Sequence, residues 1–202
     1  MVKDSTTVVL TLTPGVMHGL FPLLQHGVMV DALVGSGIRT VLNESLQLSP
    51  EYIEDRIKTI ILNGSPVDDI DTVIINEGST LALSAAMPGL VGASLRRGGP
   101  LASLRSQITQ LAAGESSSLH RGMITLKLFN VLISEIGPKL LQRGISVRRE
   151  DFENFVMRLS EEFWQGCTAA TVDGQDVRIE HLRNPERLET SHLVMLRIEQ
   201  RG

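Results

Sequence analysis

The sequence predicts an α+β fold built from two tandem repeats joined by a helical linker. Three observations predict it. First, residues 8–30 (VVLTLTPGVMHGLFPLLQHGVMV) and 124–147 (ITLKLFNVLISEIGPKLLQRGISV) follow one plan: an alternating run, an apolar stretch with Pro22 or Pro138, then Leu-Leu-Gln-His-Gly-Val (23–28) or Leu-Leu-Gln-Arg-Gly-Ile (140–145). Second, Leu62-Asn63-Gly64-Ser65-Pro66-Val67 is echoed by Val172-Asp173-Gly174-Gln175-Asp176-Val177. Third, short strand-like runs are interleaved with stretches of helical spacing. Each copy of a duplication is expected to be one folding unit. This predicts repeat 1 over 1–99, a helical linker over 100–121 and a divergent repeat 2 over 122–202.

In repeat 1, Thr7–Thr13 alternates as a half-buried strand does, and Pro14-Gly15 ends it. Val16–Gln25 is apolar and of either type, with Gly27 as a helix stop. Val28–Val34 reads as a second strand, and Ile38–Leu46 as a helix with Ser36 as its cap. Ser49-Pro50-Glu51 has the form of a helix start, with proline at the first helical position. Arg56–Leu62 is a β-branched strand running into the turn pair Asn63-Gly64. Ser79–Ala85 is the last strand.

Repeat 2 has strands at Met123–Phe129 and Ile145–Val147 around a helix at Leu132–Arg143. Phe152, Phe155, Val156, Leu159 and Phe163 sit at the spacing of one buried face, so Arg149–Gln165 is predicted as a single helix. Thr168–Val172 and Leu193–Ile198 are its closing strands. Between the repeats, Leu101, Leu104, Ile108 and Leu111 predict a connecting helix over Leu95–Leu111. The small, polar stretch 111–118 follows it as a linker.

Composition bounds the function. Apolar residues make up 42% of the 202 and aromatics only 3%, so the core must rest on Leu, Val, Ile and Ala. So few aromatics argue against stacking on single-stranded nucleic acid. The net charge of −4, with no Lys/Arg stripe, lacks the footprint of a phosphate-backbone binder. Residues 1–99 hold six basic and ten acidic residues, while 100–202 hold thirteen of each. No apolar run reaches the roughly 20 residues of a membrane span. The start, Met1 to Thr7, carries an acid and lacks a signal-peptide pattern. The single Cys167 excludes an intramolecular disulfide, which predicts a reducing cytoplasm.

The most site-like segment is 87–99, Met-Pro-Gly-Leu-Val-Gly-Ala-Ser-Leu-Arg-Arg-Gly-Gly. Exposed backbone N–H groups beside arginines bind phosphate or carboxylate, so Gly89, Gly92, Arg96 and Arg97 are the candidate ligand-binding residues. The segment fits neither the Walker spacing nor G-x-G-x-x-G. The competing reading is a glycine-rich crossover whose Met87, Leu90 and Val91 line a subunit contact. Asp68, Asp69, Asp71 and Glu77 form an acidic stretch without the twelve-residue calcium-loop pattern, and a solvated turn is the expectation. The five histidines, His18, His26, His120, His181 and His192, have no metal-ligand spacing. Cys167 is expected to be a structural thiol, because a catalytic thiolate needs a partnered base. Trp164 is expected to anchor the core or an interface. No nucleophile–base set, resident metal or cofactor is predicted.

Leu48-Ser49-Pro50-Glu51, Thr59–Gly64, Val67-Asp68-Asp69 and Glu77-Gly78-Ser79-Thr80-Leu81-Ala82-Leu83 stand in an order that resembles the β-grasp family. Its members include ubiquitin and the sulfur carriers of thiamin and molybdopterin synthesis. The resemblance covers residues 28–85, and the second copy matches through Asp173-Gly174 and its flanking strands. Both copies depart from the family by an extra apolar segment, 16–26 and 131–143. The resemblance implies two ubiquitin-like modules. The family works through a free C-terminal Gly-Gly carboxylate. Here Arg96-Arg97-Gly98-Gly99 is followed by Pro100, so carrier use would require cleavage after Gly99.

These readings converge on a cytoplasmic, non-enzymatic binding or assembly protein that presents sheet edges and the 87–99 loop to a protein partner, with self-association as a homodimer. The alternative is a protein or enzyme for a small anionic ligand held at Gly89, Gly92, Arg96 and Arg97.

Overall fold

The computed structural model describes residues 5–86, 89–100, 118–183 and 191–200. The chain is an α+β protein whose strands and short helices gather into two compact units, one of residues 1–24 with 136–202 and one of residues 25–135. This division by packing differs from the division by repeat. The first strand, β1 (Ser5–Leu12), belongs with the C-terminal unit, and β6 (His120–Phe129) belongs with the contiguous one.

The contiguous unit contains β2 (Val28–Val34), α2 (Ile38–Thr40, continued by a wider turn over Val41–Ser45), α3 (Pro50–Arg56), β3 (Thr59–Leu62), β4 (Ser65–Pro66), β5 (Thr80–Ser84), α4 (Gly89–Leu95) and β6. Its strands lie in the order β4-β3-β5-β6-β2. β5 and β6 run parallel, with Leu81 opposite Leu126, while β2 is antiparallel to β6 and β3 is antiparallel to β5. Along β2, Val28, Val30, Ala32 and Val34 are buried and alternate with more exposed residues. The same alternation in β6 buries Ile124, Leu126 and Leu128. One face of the sheet is therefore packed and the other partly wet. Ile38, Val41, Leu42 and Ile53 complete the core from the helical segments. Fully burying a side chain of this size contributes about 1.5–3 kcal/mol, so this aliphatic core, rather than surface charge, holds the unit together.

The discontinuous unit adds α5 (Val131–Arg143), which begins in the other unit, then β7 (Ile145–Arg148), α6 (Arg149–Val156), α7 (Glu161–Gly166), β8 (Cys167–Val172), β9 (Gln175–Asp176), α8 (Ile179–Leu182) and β10 (Leu193–Gln200) to β1. Its strand order is β7-β10-β1-β8-β9, with β1 parallel to β10 and antiparallel to β8. The pattern of strand directions matches that of the contiguous unit. The connectivity does not, because the inner place taken by β5 in one unit is taken by the N-terminal β1 in the other. Aromatic residues cluster in this core: Phe152, Phe163 and Trp164 are buried, and the Phe163 and Trp164 rings meet edge to face at 5.4 Å.

The duplicated motifs are duplicated turns. Gly27 and Gly144, which close the two Leu-Leu-Gln segments, have φ of +124° and +104°. Only glycine enters that region freely, so both act as helix stops. Asn63-Gly64 and Asp173-Gly174 have positive φ at both positions, the geometry of a two-residue hairpin turn of type I′. They join β3 to β4 and β8 to β9.

Several sequence expectations are corrected. Arg149–Gln165 is two helices rather than one, because Ser160 begins a fresh helix, its hydroxyl accepting from the Phe163 N–H at 3.2 Å. The strand expected over Arg56–Leu62 starts at Thr59, since α3 runs through Arg56. The 16–25 stretch, which the sequence leaves of either type, is a short 3-10 turn (Met17–Leu20) followed by α1 (Phe21–His26). A connecting helix from Leu95 does not begin there, because Leu95 ends α4 and residues 97–99 turn. The rest of that helix and the linker at 111–117 lie outside the described residues, as do Met87 and Pro88.

Candidate functional site

A cleft of about 590 Å³ opens in the contiguous unit, lined by Arg39, Glu54, Lys58, Asp68, Asp69, Ile70, Asp71, Arg96, Arg97 and Gly98. Four local structures bring these residues together. α2 supplies Arg39. Ser49 caps α3 by accepting from the Tyr52 N–H at 3.2 Å, and this helix carries Glu54. The 68–72 turn is folded around Asp69, whose Oδ1 accepts from the N–H groups of Asp71 and Thr72 at 3.0 and 3.2 Å while its Oδ2 accepts from the Thr72 hydroxyl at 2.7 Å. The turn after α4 supplies Arg96, Arg97 and Gly98.

Backbone contacts fix the 68–72 turn against α2. The Arg39 N–H donates to the Ile70 carbonyl at 2.9 Å, and the Ile38 N–H to the Val73 carbonyl at 3.1 Å. Gly37 makes this approach possible, since a Cβ there would lie 2.7 Å from the Asp71 carbonyl oxygen.

The charges form a closed network. Arg39 donates through Nε and Nη2 to the two carboxylate oxygens of Asp71, at 2.5 and 3.1 Å, and through Nη1 to Glu54 Oε1 at 2.8 Å. The other Glu54 oxygen accepts from Arg97 Nη2 at 2.7 Å. Lys58 Nζ donates to the Glu54 carbonyl at 2.6 Å. Gly98 N–H donates to Asp68 Oδ1 at 3.1 Å, and Arg97 N–H to the Lys58 carbonyl at 2.7 Å. The hydrogen bonds from Arg39 hold the carboxyls of Asp71 and Glu54 below the usual range, and those acceptors, Asp71 first, raise the Arg39 guanidinium further. Asp69 is also held low, by the Thr72 hydroxyl and then by its backbone donors. Four cations, Arg39, Lys58, Arg96 and Arg97, face four carboxylates, Glu54, Asp68, Asp69 and Asp71.

Of the residues expected to bind a ligand, Arg96 and Arg97 line the cleft. Gly89 and Gly92 do not; they belong to α4. Arg97 is 11% exposed, and the anion it meets is Glu54 of the chain itself. The Arg-Arg-Gly-Gly segment is a turn rather than an extended tail, with Gly99 N–H donating to the Arg96 carbonyl. The acidic stretch divides. Asp68, Asp69 and Asp71 face the cleft, whereas Glu77 accepts from the Met123 N–H at 2.9 Å elsewhere in the unit. Sequence reading missed Arg39, Glu54 and Lys58 as members of the site. Arg39 and Asp71 are 32 residues apart, a separation that no local pattern marks.

A second polar cluster joins α3 to the start of α5. The Tyr52 hydroxyl donates to Glu135 Oε2 at 2.7 Å, and Arg56 donates to both Glu135 oxygens. Arg56 and then Tyr52 keep the Glu135 carboxyl low, while burial and Glu135 raise the Tyr52 phenol. Cys167 is buried at the start of β8, and burial pushes its thiol up to about 11, away from thiolate chemistry. Trp164 is a core residue, with the Arg183 guanidinium over its ring at 5.9 Å. Among the described residues, no group of three or more His, Cys, Asp or Glu is placed to hold a metal ion, and no helix is long and apolar enough to cross a membrane.

Compared with known proteins, the chain matches no family model, no curated protein and no solved structure.

Proposed function

We propose that this is a cytoplasmic, non-enzymatic binding or assembly protein built from β-grasp-like units, which presents α4 and its flanking turn to a protein partner or to a second copy of itself. The observation that carries the reading is Leu90. This leucine is 75% exposed at the start of α4, the highest exposure of any large apolar side chain among the described residues. The end of the same segment is pinned, through Arg97 to Glu54 and Lys58 and through Gly98 to Asp68. An apolar side chain held out from a clamped segment loses little further entropy on docking, and burying it against a partner is favourable. The Asn63-Gly64 turn, with β3 antiparallel to both β4 and β5, supports the ubiquitin-like reading of the 28–85 region, while the parallel partner of β5 is β6, from outside that region.

The test compares wild type with Leu90→Asp by sedimentation velocity and by cross-linking in native lysate. A dimer or a cross-linked protein partner seen with wild type and lost with the variant supports the proposal. Identical behaviour of the two proteins rejects it.

A second reading, a small anionic ligand at Arg96 and Arg97, is favoured by one atom: Arg97 Nη1 is buried without a hydrogen-bond partner. Against it, Glu54 already stands where such an anion would sit.

A further inference from the structure

The carboxylates of the cleft are supplied with donors by the chain itself. Both Asp71 oxygens accept from Arg39, and the two Glu54 oxygens accept from Arg39 and Arg97. Asp69 is held by its own turn, and Asp68 accepts from the Gly98 N–H. The donor side is different. Arg97 Nη1 is buried without a hydrogen-bond partner. Lys58 gives its Nζ to a neutral group, the Glu54 carbonyl, and an ammonium carries three donors. A buried donor left unpaired is costly, and one retained in a folded protein marks a place for an outside acceptor such as an ion. What the cleft lacks is an acceptor, not a further cation.

Lys58 and Arg97 stand together. The Arg97 N–H donates to the Lys58 carbonyl at 2.7 Å, and both side chains reach Glu54. Arg97 is held with its side chain 11% exposed, so its guanidinium has little freedom left to lose on binding. Glu54 fills only the Nη2 side of that guanidinium, so an anion meets Nη1 beside Glu54 rather than in its place. A phosphate group offers three acceptor oxygens and a charge of about −1.5 to −2 at pH 7. It can therefore engage a guanidinium and an ammonium at once, where a carboxylate has one oxygen and about one charge fewer. The cleft, at about 590 Å³, is far larger than one phosphate group and lies within the range of small-molecule sites.

We propose that the cleft binds the phosphate group of a small phosphorylated molecule through Lys58 Nζ and Arg97 Nη1. This rests on the anionic-ligand reading above and moves its centre from the glycines of α4 to Lys58. It is separate from the Leu90 surface, and the two are tested with different residues.

The experiment titrates the full-length protein with inorganic phosphate at constant ionic strength and follows the phosphorus NMR linewidth. Wild type should broaden the signal saturably. Arg97→Lys keeps a cation for Glu54 but removes Nη1, and Lys58→Gln removes the ammonium. Each should weaken binding about tenfold, the effect of losing one hydrogen bond to a charged group. Arg197→Gln, which removes an exposed cation of β10, should bind as wild type does. Circular dichroism confirms that each variant is folded. Absence of saturable broadening overturns the proposal, as does equal binding by wild type and the two cleft variants. An equal loss with Arg197→Gln also overturns it, because the effect would then reduce to net charge. A parallel titration with acetate, followed by carbon NMR, separates this proposal from the reading beneath it. Acetate binding that depends on Lys58 and Arg97, without phosphate binding, would keep the anionic-ligand reading and overturn the phosphate assignment. Failure of both anions to bind would remove both.

Discussion

At the scale of single residues, Arg39 is the hub of the cleft. It holds Asp71 through two bonds and shares Glu54 with Arg97. Both carboxyls have folded pKa values below their ordinary ones, with Arg39 as the first cause. A depressed carboxyl stabilises the folded state at pH above its unfolded value, near 4, and that contribution is lost as pH falls through the folded values. Arg39→Gln should therefore be less stable than wild type at pH 7, and the gap should close below about pH 4. Urea unfolding of both proteins at pH 7 and pH 3 checks this; a gap of equal size at the two values would remove electrostatics as the cause. The groups are largely exposed, so the whole effect is expected to be small and sensitive to salt. Gly37 shows a different residue-scale constraint. It is small because the Asp71 carbonyl occupies the space of a side chain.

At the scale of elements, the duplicated hairpins give a paired test. Gly64 and Gly174 have φ of +85° and +80°, and an added Cβ would meet nothing within 4 Å in either turn. The only cost of alanine is then the backbone conformation. Gly64→Ala and Gly174→Ala should each destabilise by about 1–2 kcal/mol, measured as equal shifts in denaturant midpoint at unchanged slope. A large difference between them would mean that the turns are not equivalent. These turns were legible in the sequence, since Asn-Gly and Asp-Gly declare a two-residue hairpin on their own. The break at Ser160 was less legible. The apolar spacing from Phe152 to Phe163 reads as one helical face, but Arg158 and Leu159 close the first helix by donating to Phe155 and Val156 carbonyls, and the Ser160 hydroxyl then starts the second. Periodicity reports which side chains face a core and is insensitive to an interruption that keeps the same side inward.

At the scale of the whole molecule, one unit is contiguous and the other is not. β1 lies between β10 and β8, parallel to the first and antiparallel to the second, so its removal opens the middle of that sheet. Residues 25–135 produced alone should melt cooperatively by circular dichroism. Residues 136–202 alone should stay unfolded, and adding a peptide of residues 1–24 should restore structure. Trp164, the chain's single tryptophan, reports on that restoration because it is buried in the discontinuous unit. A folded 136–202 fragment without the peptide would show that β1 is dispensable.

By itself the sequence determined what depends on neighbouring residues: the strands that alternate, the glycine stops, the two hairpin turns, the serine-capped helix at Pro50 and a largely aliphatic core. These follow from allowed backbone angles and from which side of a short segment is apolar, and both are written locally. Tertiary structure decided which strands became neighbours, that β1 and β6 would each complete a sheet with partners far along the chain, and that Arg39, Glu54, Asp68 and Arg97 would meet in one cleft. Those outcomes depend on burying several apolar faces together and on balancing charges that are distant in sequence. No single segment carries that information, because the free energy of each pairing exists only once both partners are in place.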